Sequence, residues 1–277
     1  MSKDRRIAFI GAGNMASALI QGLLARGSAR ADSLIASDVE DKALRALSDK
    51  YGIVTTRDNT RACQAEIIVL SVKPQVLPAV LPELAPHVGP DTLVVSIAAG
   101  VPIAVIESQL PGRRVVRAMP NTPALVGAGA TAVAAGSGAG AQDLASARAI
   151  FESVGVVVEV AEELLDAVTA LSGSGPAYVF YLAESLLEAG REVGLSDEVA
   201  RALALQTVYG SAKLLHESGE APADLRRKVT SPNGTTEAGV KTLEALRVRE
   251  AFRACVTAAR DRGRELGREV LARLKPR

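Results

Sequence analysis

Tryptophan is absent from this chain, aromatic residues make up only 3% of it, and just two cysteines and two histidines occur in 277 residues. With so few large rings, a core must be built from Ala, Val, Leu and Ile, a profile that suits buried parallel strands and closely packed helices. Cys63 and Cys255 lie far apart with no CxxC pairing, and the histidines are only His87 and His216, which argues against a disulfide framework and against a Cys/His metal site. His216 falls near a predicted helix C-terminus, where it complements the dipole or is solvated. Acid–base chemistry must therefore manage without an obvious histidine. Neither sign of charge is in surplus: 32 Lys plus Arg against 31 Asp plus Glu leave a net +1, which offers no field for nucleic acid or an anionic membrane. Long apolar runs are missing too. The N-terminal KDRRIAFIGAGNMASALI imitates a secretory signal, but Gly11, Gly13 and Asn14 interrupt it, and no uninterrupted stretch reaches membrane-spanning length. The expectation is a soluble, cytoplasmic protein.

What is present is an alternation. Short apolar runs recur at RRIAFI, SLIAS, EIIVLSV, TLVVSIAA, RVVRAM and VVVEV, most of them separated by amphipathic helical stretches. This predicts an α/β, Rossmann-like, doubly wound parallel sheet. After about Val160 the strand signals vanish and helical periodicity takes over, so the expected organisation is a dinucleotide-binding domain over 1–163 and an all-α domain over 164–277. No Gly/Ser-rich or charged linker separates them.

The first run ends in Gly11-Ala12-Gly13-Asn14-Met15-Ala16 and opens a helix, the order strand, glycine turn, helix that a dinucleotide site needs. Gly11 permits the tight turn, Gly13 lets backbone approach a pyrophosphate, and Ala16 permits close helix–strand packing. At the end of the second strand, Asp38 stands where an acid would grip ribose hydroxyls, which favours NAD. Equally, it could cap the following helix, while Ser37, Arg57 and Asn59 could compose a phosphate pocket. Three further loops fall at carboxyl ends of strands: Ser71-Val72-Lys73-Pro74, Ala98-Ala99-Gly100 and Met119-Pro120-Asn121-Thr122-Pro123. Lys73 and Asn121 are each ordinary loop residues taken singly, and their shared sheet edge is what makes them candidates.

In the helical half, Gly190, Gly194 and Gly219 fall where helices should end. Segments such as AYVFYLAESLL and ARALALQTV are apolar on more than one face, which implies burial against another subunit, at least a homodimer. LSGSGPAY is a point of close approach, with Gly173 and Gly175 lacking side chains and Pro176 suited to a first helical turn; Ser172 and Ser174 could donate to a ligand. The stretch VTSPNGTTEAG breaks the helical pattern and restarts it. At such a restart the N–H groups of Gly234, Thr235 and Thr236 are expected to be unpaired, an anion site for a small carboxylate, unless Thr235 or Thr236 simply caps its own helix.

FIGAGNMASALI, VLSVKPQ, RAMPNTPALVGAGAT, AVTALSGSGPAYVF and VTSPNGTTEAG, in this order and spacing, resemble the pyrroline-5-carboxylate reductase family from end to end. The resemblance implies hydride transfer from NADPH, or NADH, to the C=N carbon of 1-pyrroline-5-carboxylate, giving proline. It also implies a dimer with interleaved C-terminal helices that can assemble further into a decamer. Position by position, it assigns Gly11, Ala12, Gly13, Asn14, Met15 and Ala16 to the pyrophosphate and Ser37 and Asn59 to the adenosine phosphate. Ser71, Val72, Lys73, Ala98 and Ala99 line the cofactor cleft, and Asn121 lies by the nicotinamide. Thr236 matches the family threonine whose hydroxyl meets the ring nitrogen; the Gly234, Thr235 and Thr236 amides hold the carboxylate, and Ser231, Ser174 and Glu162 complete the substrate side. Asn233 stands where the family more often has glycine, which is tolerable if φ there is positive.

Two rivals carry less. A β-hydroxyacid dehydrogenase needs a Lys and then an Asn on the helix after its glycine motif, and Val179 and Ala183 stand at those places. A dinucleotide-sensing protein without turnover would have no use for the donor-rich loop at Thr235 and Thr236.

Overall fold

A computed structural model describes residues 2–273. The described residues divide into two compact units: one comprises 2–174 and 258–273, and the other is Gly175–Thr257.

The first unit holds an eight-stranded sheet: β1 Ile7–Ile10, β2 Leu34–Ser37, β3 Val54–Thr56, β4 Ile67–Leu70, β5 Leu93–Ser96, β6 Arg114–Met119, β7 Gly129–Ala135 and β8 Gly155–Glu159. Its order is β3-β2-β1-β4-β5-β6-β7-β8, so the chain crosses over between β1 and β4, and the crevice beyond their carboxyl ends is where such sheets take ligands. Helices α1 Asn14–Ala25, α2 Asp41–Tyr51, α3 Asn59–Ala62, α4 Leu77–Leu84, α5 Ile103–Gln109, α6 Ala141–Phe151 and α7 Leu165–Val168 connect and follow the strands.

Strands β1 and β4 are apolar at every position because both faces of the sheet are covered. Side chains alternate between two cores: Ile7, Phe9, Ile67 and Val69 belong to one, and Ala8, Ile10, Ile68 and Leu70 to the other. The parallel expectation holds except at one pair, since β7 runs antiparallel to β6, with Met119 opposite Ala132. The connection between them is a short 3-10 turn, Thr122–Val126, too short for the crossover that parallel pairing demands. Neither β7 nor β3 is anticipated by the apolar runs, because GATAVAA is almost all small residues and VTT is only three long.

The second unit contains α8 Gly175–Glu192, α9 Asp197–Ser218, α10 Pro222–Lys228, α11 Thr235–Ala245 and the first part of α12 Val248–Arg273, whose remainder belongs to the first unit. Gly194 and Gly219 terminate helices with φ of 100° and 66°, as their positions predict. Gly190 does not: it lies inside α8, where an added Cβ would come 3.2 Å from the Cβ of Ala200 on α9, so it serves close helix packing. Ala200 is the one buried residue of Gly175–Thr257.

Candidate active site

The dinucleotide half begins where β1 stops. Gly11 has φ of 105°, and a Cβ there would lie 2.8 Å from the Ser71 carbonyl, so both conformation and space demand glycine. The turn is braced by the sheet. The Gly11 N–H donates to the Ser37 carbonyl at 2.8 Å, and the Ser71 hydroxyl donates to the carbonyls of Gly11 at 2.7 Å and Ile10 at 3.0 Å. Ser71, a cofactor candidate from its strand end, therefore holds the loop through its side chain.

Gly13 is the N-cap of α1, has no side-chain capping bond, and would meet nothing within 4 Å if given a Cβ. The first bond of α1 runs from the Ser17 N–H to the Gly13 carbonyl. The N–H groups of Asn14, Met15 and Ala16 thus stand at the open positive end of a twelve-residue helix. Ala16 is fully buried, the close packing expected of it.

A cleft of about 260 Å³ adjoins this loop, lined in part by Gly11, Gly13, Ser37, Asn59, Val72 and Lys73. The Ser37 hydroxyl donates to Asn59 Oδ1 at 2.8 Å, which joins the two residues paired by resemblance across β2 and the start of α3. Asp38 neither caps α2, whose N-cap is Glu40, nor points away. Its carboxylate accepts the Ala12 N–H at 2.7 Å and the Glu40 N–H at 3.0 Å.

Lys73 is exposed at the head of the turn after β4. Ala98 is buried and Ala99 half-buried at the end of β5. Asn121, half-buried beyond β6, is a latch: its Nδ2 donates to the Ser172 carbonyl at 3.0 Å and its Oδ1 accepts the Ala130 N–H at 2.9 Å.

The first unit also holds two of the substrate candidates. A π turn, Thr169–Gly173, closes with the Ser174 N–H donating to the Thr169 carbonyl at 2.8 Å. Gly173 is the close approach, since a Cβ there would press to 2.5 Å on the Met119 methyl, whereas Gly175 faces open space. Glu162 is engaged locally: Oε1 accepts the Ile103 N–H at 2.6 Å, at the start of α5, and the Arg117 guanidinium at 3.2 Å. Arg117 is buried, and Asp166 lies 3.7 Å from its other nitrogen. Sequence reading missed this buried arginine because RVVRAM gives no hint that its second charge faces inward.

The second unit carries the loop before α11. Asn233 has φ of 60°, the left-handed conformation its place in the sequence suggests. One expectation is corrected here: the Gly234 N–H is paired, donating to the Ser231 carbonyl at 3.1 Å, because Ser231–Gly234 closes as a turn. The self-capping alternative is not realised either, since the N-cap is Gly234, with no side-chain bond. The N–H groups of Thr235 and Thr236 have no partner among the described residues, and both side chains are exposed.

Glu237, which the sequence reading passed over, clamps the turn. Its carboxylate accepts the Asn233 N–H at 2.7 Å and pairs with Lys241 one helical turn on at 3.0 Å. The Lys241 hydrogen bond, aided by the Asn233 amide, holds its pKa below the usual carboxylate range. The capping-box logic of an acid three residues after the N-cap could have found it.

Cys63 caps α3 at its C-terminus, its N–H donating to the Asn59 carbonyl at 3.1 Å. Burial pushes the Cys63 thiol up to about 11, so it stays protonated and inert.

Comparison with known proteins gives the family. Residues 162–266 match the family model for pyrroline-5-carboxylate reductase dimerisation, and residues 6–100 match that for NADP oxidoreductase, coenzyme F420-dependent. The pyrroline-5-carboxylate reductase of Methanosarcina acetivorans is 43% identical over 269 residues, covering 96% of this chain and 100% of that protein. That of Pseudomonas aeruginosa is 44% identical over 268 residues, covering 96% and 98%. Among solved structures, the Coxiella burnetii pyrroline-5-carboxylate reductase is 40% identical with a TM-score of 0.89, covering 95% of this chain and 98% of that one. The Plasmodium falciparum pyrroline carboxylate reductase with NADP bound is 30% identical with a TM-score of 0.86, covering 96% and 100%. With near-complete coverage at this identity, and glycine loop and threonine loop both formed, the chain belongs to the pyrroline-5-carboxylate reductase family.

Proposed function

We propose that the protein reduces the C=N bond of 1-pyrroline-5-carboxylate to L-proline, the last step of proline biosynthesis, with NADPH or NADH as hydride donor. The cofactor half fits a dinucleotide. Gly13 leaves open space beside the loop, and the amides of Asn14, Met15 and Ala16 supply donors for a pyrophosphate. Ser37 and Asn59 line the adenosine end, and Val72, Lys73, Ala98, Ala99 and Asn121 stand along the same carboxyl edge of the sheet.

The observation that carries the substrate half is the start of α11. Two unpaired N–H groups, on Thr235 and Thr236, head an eleven-residue helix and are flanked by their own exposed hydroxyls. These amides grip the substrate carboxylate, and the Thr236 hydroxyl orients the ring nitrogen and passes it a proton with the help of water. Ser231 accepts from Gly234 and sets the turn, so Gly234 supports the site by its conformation. Ser174 and Glu162 are further substrate-side candidates. A protonated cyclic imine is already electrophilic, so the bound dinucleotide supplies the hydride and the chain's residues need mainly hold and orient. A site of threonines and main-chain amides, without histidine, suffices.

The dimerisation region and the apolar side chains exposed on Gly175–Thr257 support a homo-oligomer, a dimer or a decamer built from dimers. We place it in the cytoplasm; no described helix is long and apolar enough to cross a membrane. The test is nicotinamide absorbance. Purified protein should oxidise NAD(P)H when given pyrroline-5-carboxylate, and Thr236→Ala should lower kcat/KM by about ten- to a thousandfold, the scale of one lost transition-state contact. Absence of turnover with both cofactors would refute the reading.

A further inference from the structure

The cleft beside the glycine loop is poor in positive charge where an adenosine phosphate would need it. Asp38 follows β2, directly after Ser37, and both its carboxylate oxygens are tied to the main chain, through the amides of Ala12 and Glu40. Two such bonds keep the charge at the rim of the cleft it lines. The neighbouring donors are turned elsewhere: the Ser37 hydroxyl donates to Asn59, and the Asn59 Nδ2 donates to a second carboxylate, Glu83, at 3.3 Å. Arg57, close by in sequence, has its Nε 3.6 Å from Asp41. Lys73 is the one cation among the cleft's described lining residues, and it follows β4, two strands away from β2 in the sheet.

A ribose with free hydroxyls donates to a fixed carboxylate, whereas a 2′-phosphate brings negative charge against it. We propose that Asp38 is the specificity-determining residue of this cleft, weighting the site toward the unphosphorylated dinucleotide, so that NADPH is taken but NADH is taken better. This rests on reading the cleft as the dinucleotide site of the proposed reductase.

The experiment measures binding apart from turnover. Calorimetric titrations of the full chain with NADH, NADPH, ADP and 2′,5′-ADP are made for wild type, Asp38→Ser and Asp38→Asn, with thermal melts to confirm folding. Wild type should bind NADH and ADP more tightly than their phosphorylated counterparts. In both variants the NADPH-to-NADH affinity ratio should rise by about tenfold or more, the scale of removing one close charge from a partly solvated site. The ratio of kcat/KM values with pyrroline-5-carboxylate should move in parallel. Tighter binding of NADPH than NADH by wild type, or a ratio that stays within about twofold in a folded variant, overturns the proposal. Should the binding ratios shift as expected while pyrroline-5-carboxylate is not reduced, the role of Asp38 stands and the proposed reaction fails.

Discussion

The two compact units solve the same problem, hiding apolar surface, to very different extents. In the first, both sides of the sheet are sealed: Phe9, Ile67 and Phe151 on one side and Ile68, Leu70 and Leu81 on the other are wholly inaccessible. In Gly175–Thr257 only Ala200 is buried, and Phe180, Tyr181 and Tyr209 are 62%, 71% and 61% exposed. A helical unit of this size with no interior cannot offset the entropy of ordering its chain. Its apolar side chains are a core awaiting its other part, which the dimerisation match over 162–266 identifies as a second copy. Stability in one unit is therefore a property of the chain, and in the other a property of the assembly.

The most severe way to test that contrast is a charge on the exposed apolar face of the second unit. Leu203→Asp on α9 should abolish the oligomer in sedimentation velocity and with it all reductase activity, because a carboxylate cannot be buried unpaired in a subunit interface. The equivalent change on an exposed valine of the first unit, Val156→Asp on β8, should shift stability by no more than about 0.5 kcal/mol. Equal effects from the two would dissolve the distinction.

Within the first unit the expectation reverses. Phe9→Ala should cost about 3–5 kcal/mol in denaturant unfolding, the range for emptying a large buried site. That cost should not change with protein concentration, whereas unfolding followed by helical signal from the second unit should shift to higher denaturant as concentration rises.

Much of this architecture is legible in the sequence, and what is not fails for identifiable reasons. Strands whose faces are both buried announce themselves as unbroken apolar runs, as IAFI and IIVL do. Small-residue β7 is silent, and with it the single antiparallel pairing. Gly11 and Asn233 could be read correctly because a positive φ leaves few choices of residue. Gly190 could not be, since a glycine ending a helix and one admitting a neighbouring helix look alike until Ala200 is seen beside it. At the site, the unpaired amides of Thr235 and Thr236 follow from helix geometry. The inward turn of the Gly234 N–H and the clamp from Glu237 depend on how four loop residues close, which composition does not specify.

The units also differ in how they hold these two loops. The glycine loop hangs on β1, β2 and β4 through Ser37 and Ser71, while the threonine turn is held by bonds among its own near neighbours. The second should accordingly depend on the backbone preference of one residue. Asn233→Gly should leave stability within about 0.5 kcal/mol, since glycine reaches the left-handed region freely. Asn233→Val should cost about 1–2 kcal/mol and weaken proline binding measured by calorimetry, because a β-branched side chain is strained there. If valine were neutral, the turn would not be set locally.

The smallest effect sharpens the same point. Glu237 is held below the ordinary carboxylate range chiefly by Lys241 and then by the Asn233 amide. A carboxyl whose folded pKa is depressed contributes its stabilisation fully above the unfolded pKa, and loses it as pH falls through the folded value. Protection of the Asn233 amide in hydrogen exchange should therefore be flat near neutrality and should decline only as the medium is acidified below the ordinary carboxylate range. Glu237→Gln keeps an acceptor for that amide but cannot titrate, so in the variant the acid decline at this position should disappear while the Gly11 amide, bonded to the Ser37 carbonyl, behaves as in wild type. A decline that persists in Glu237→Gln would show that acid loosens the turn through another group, and that its hold is less local than its hydrogen bonds suggest.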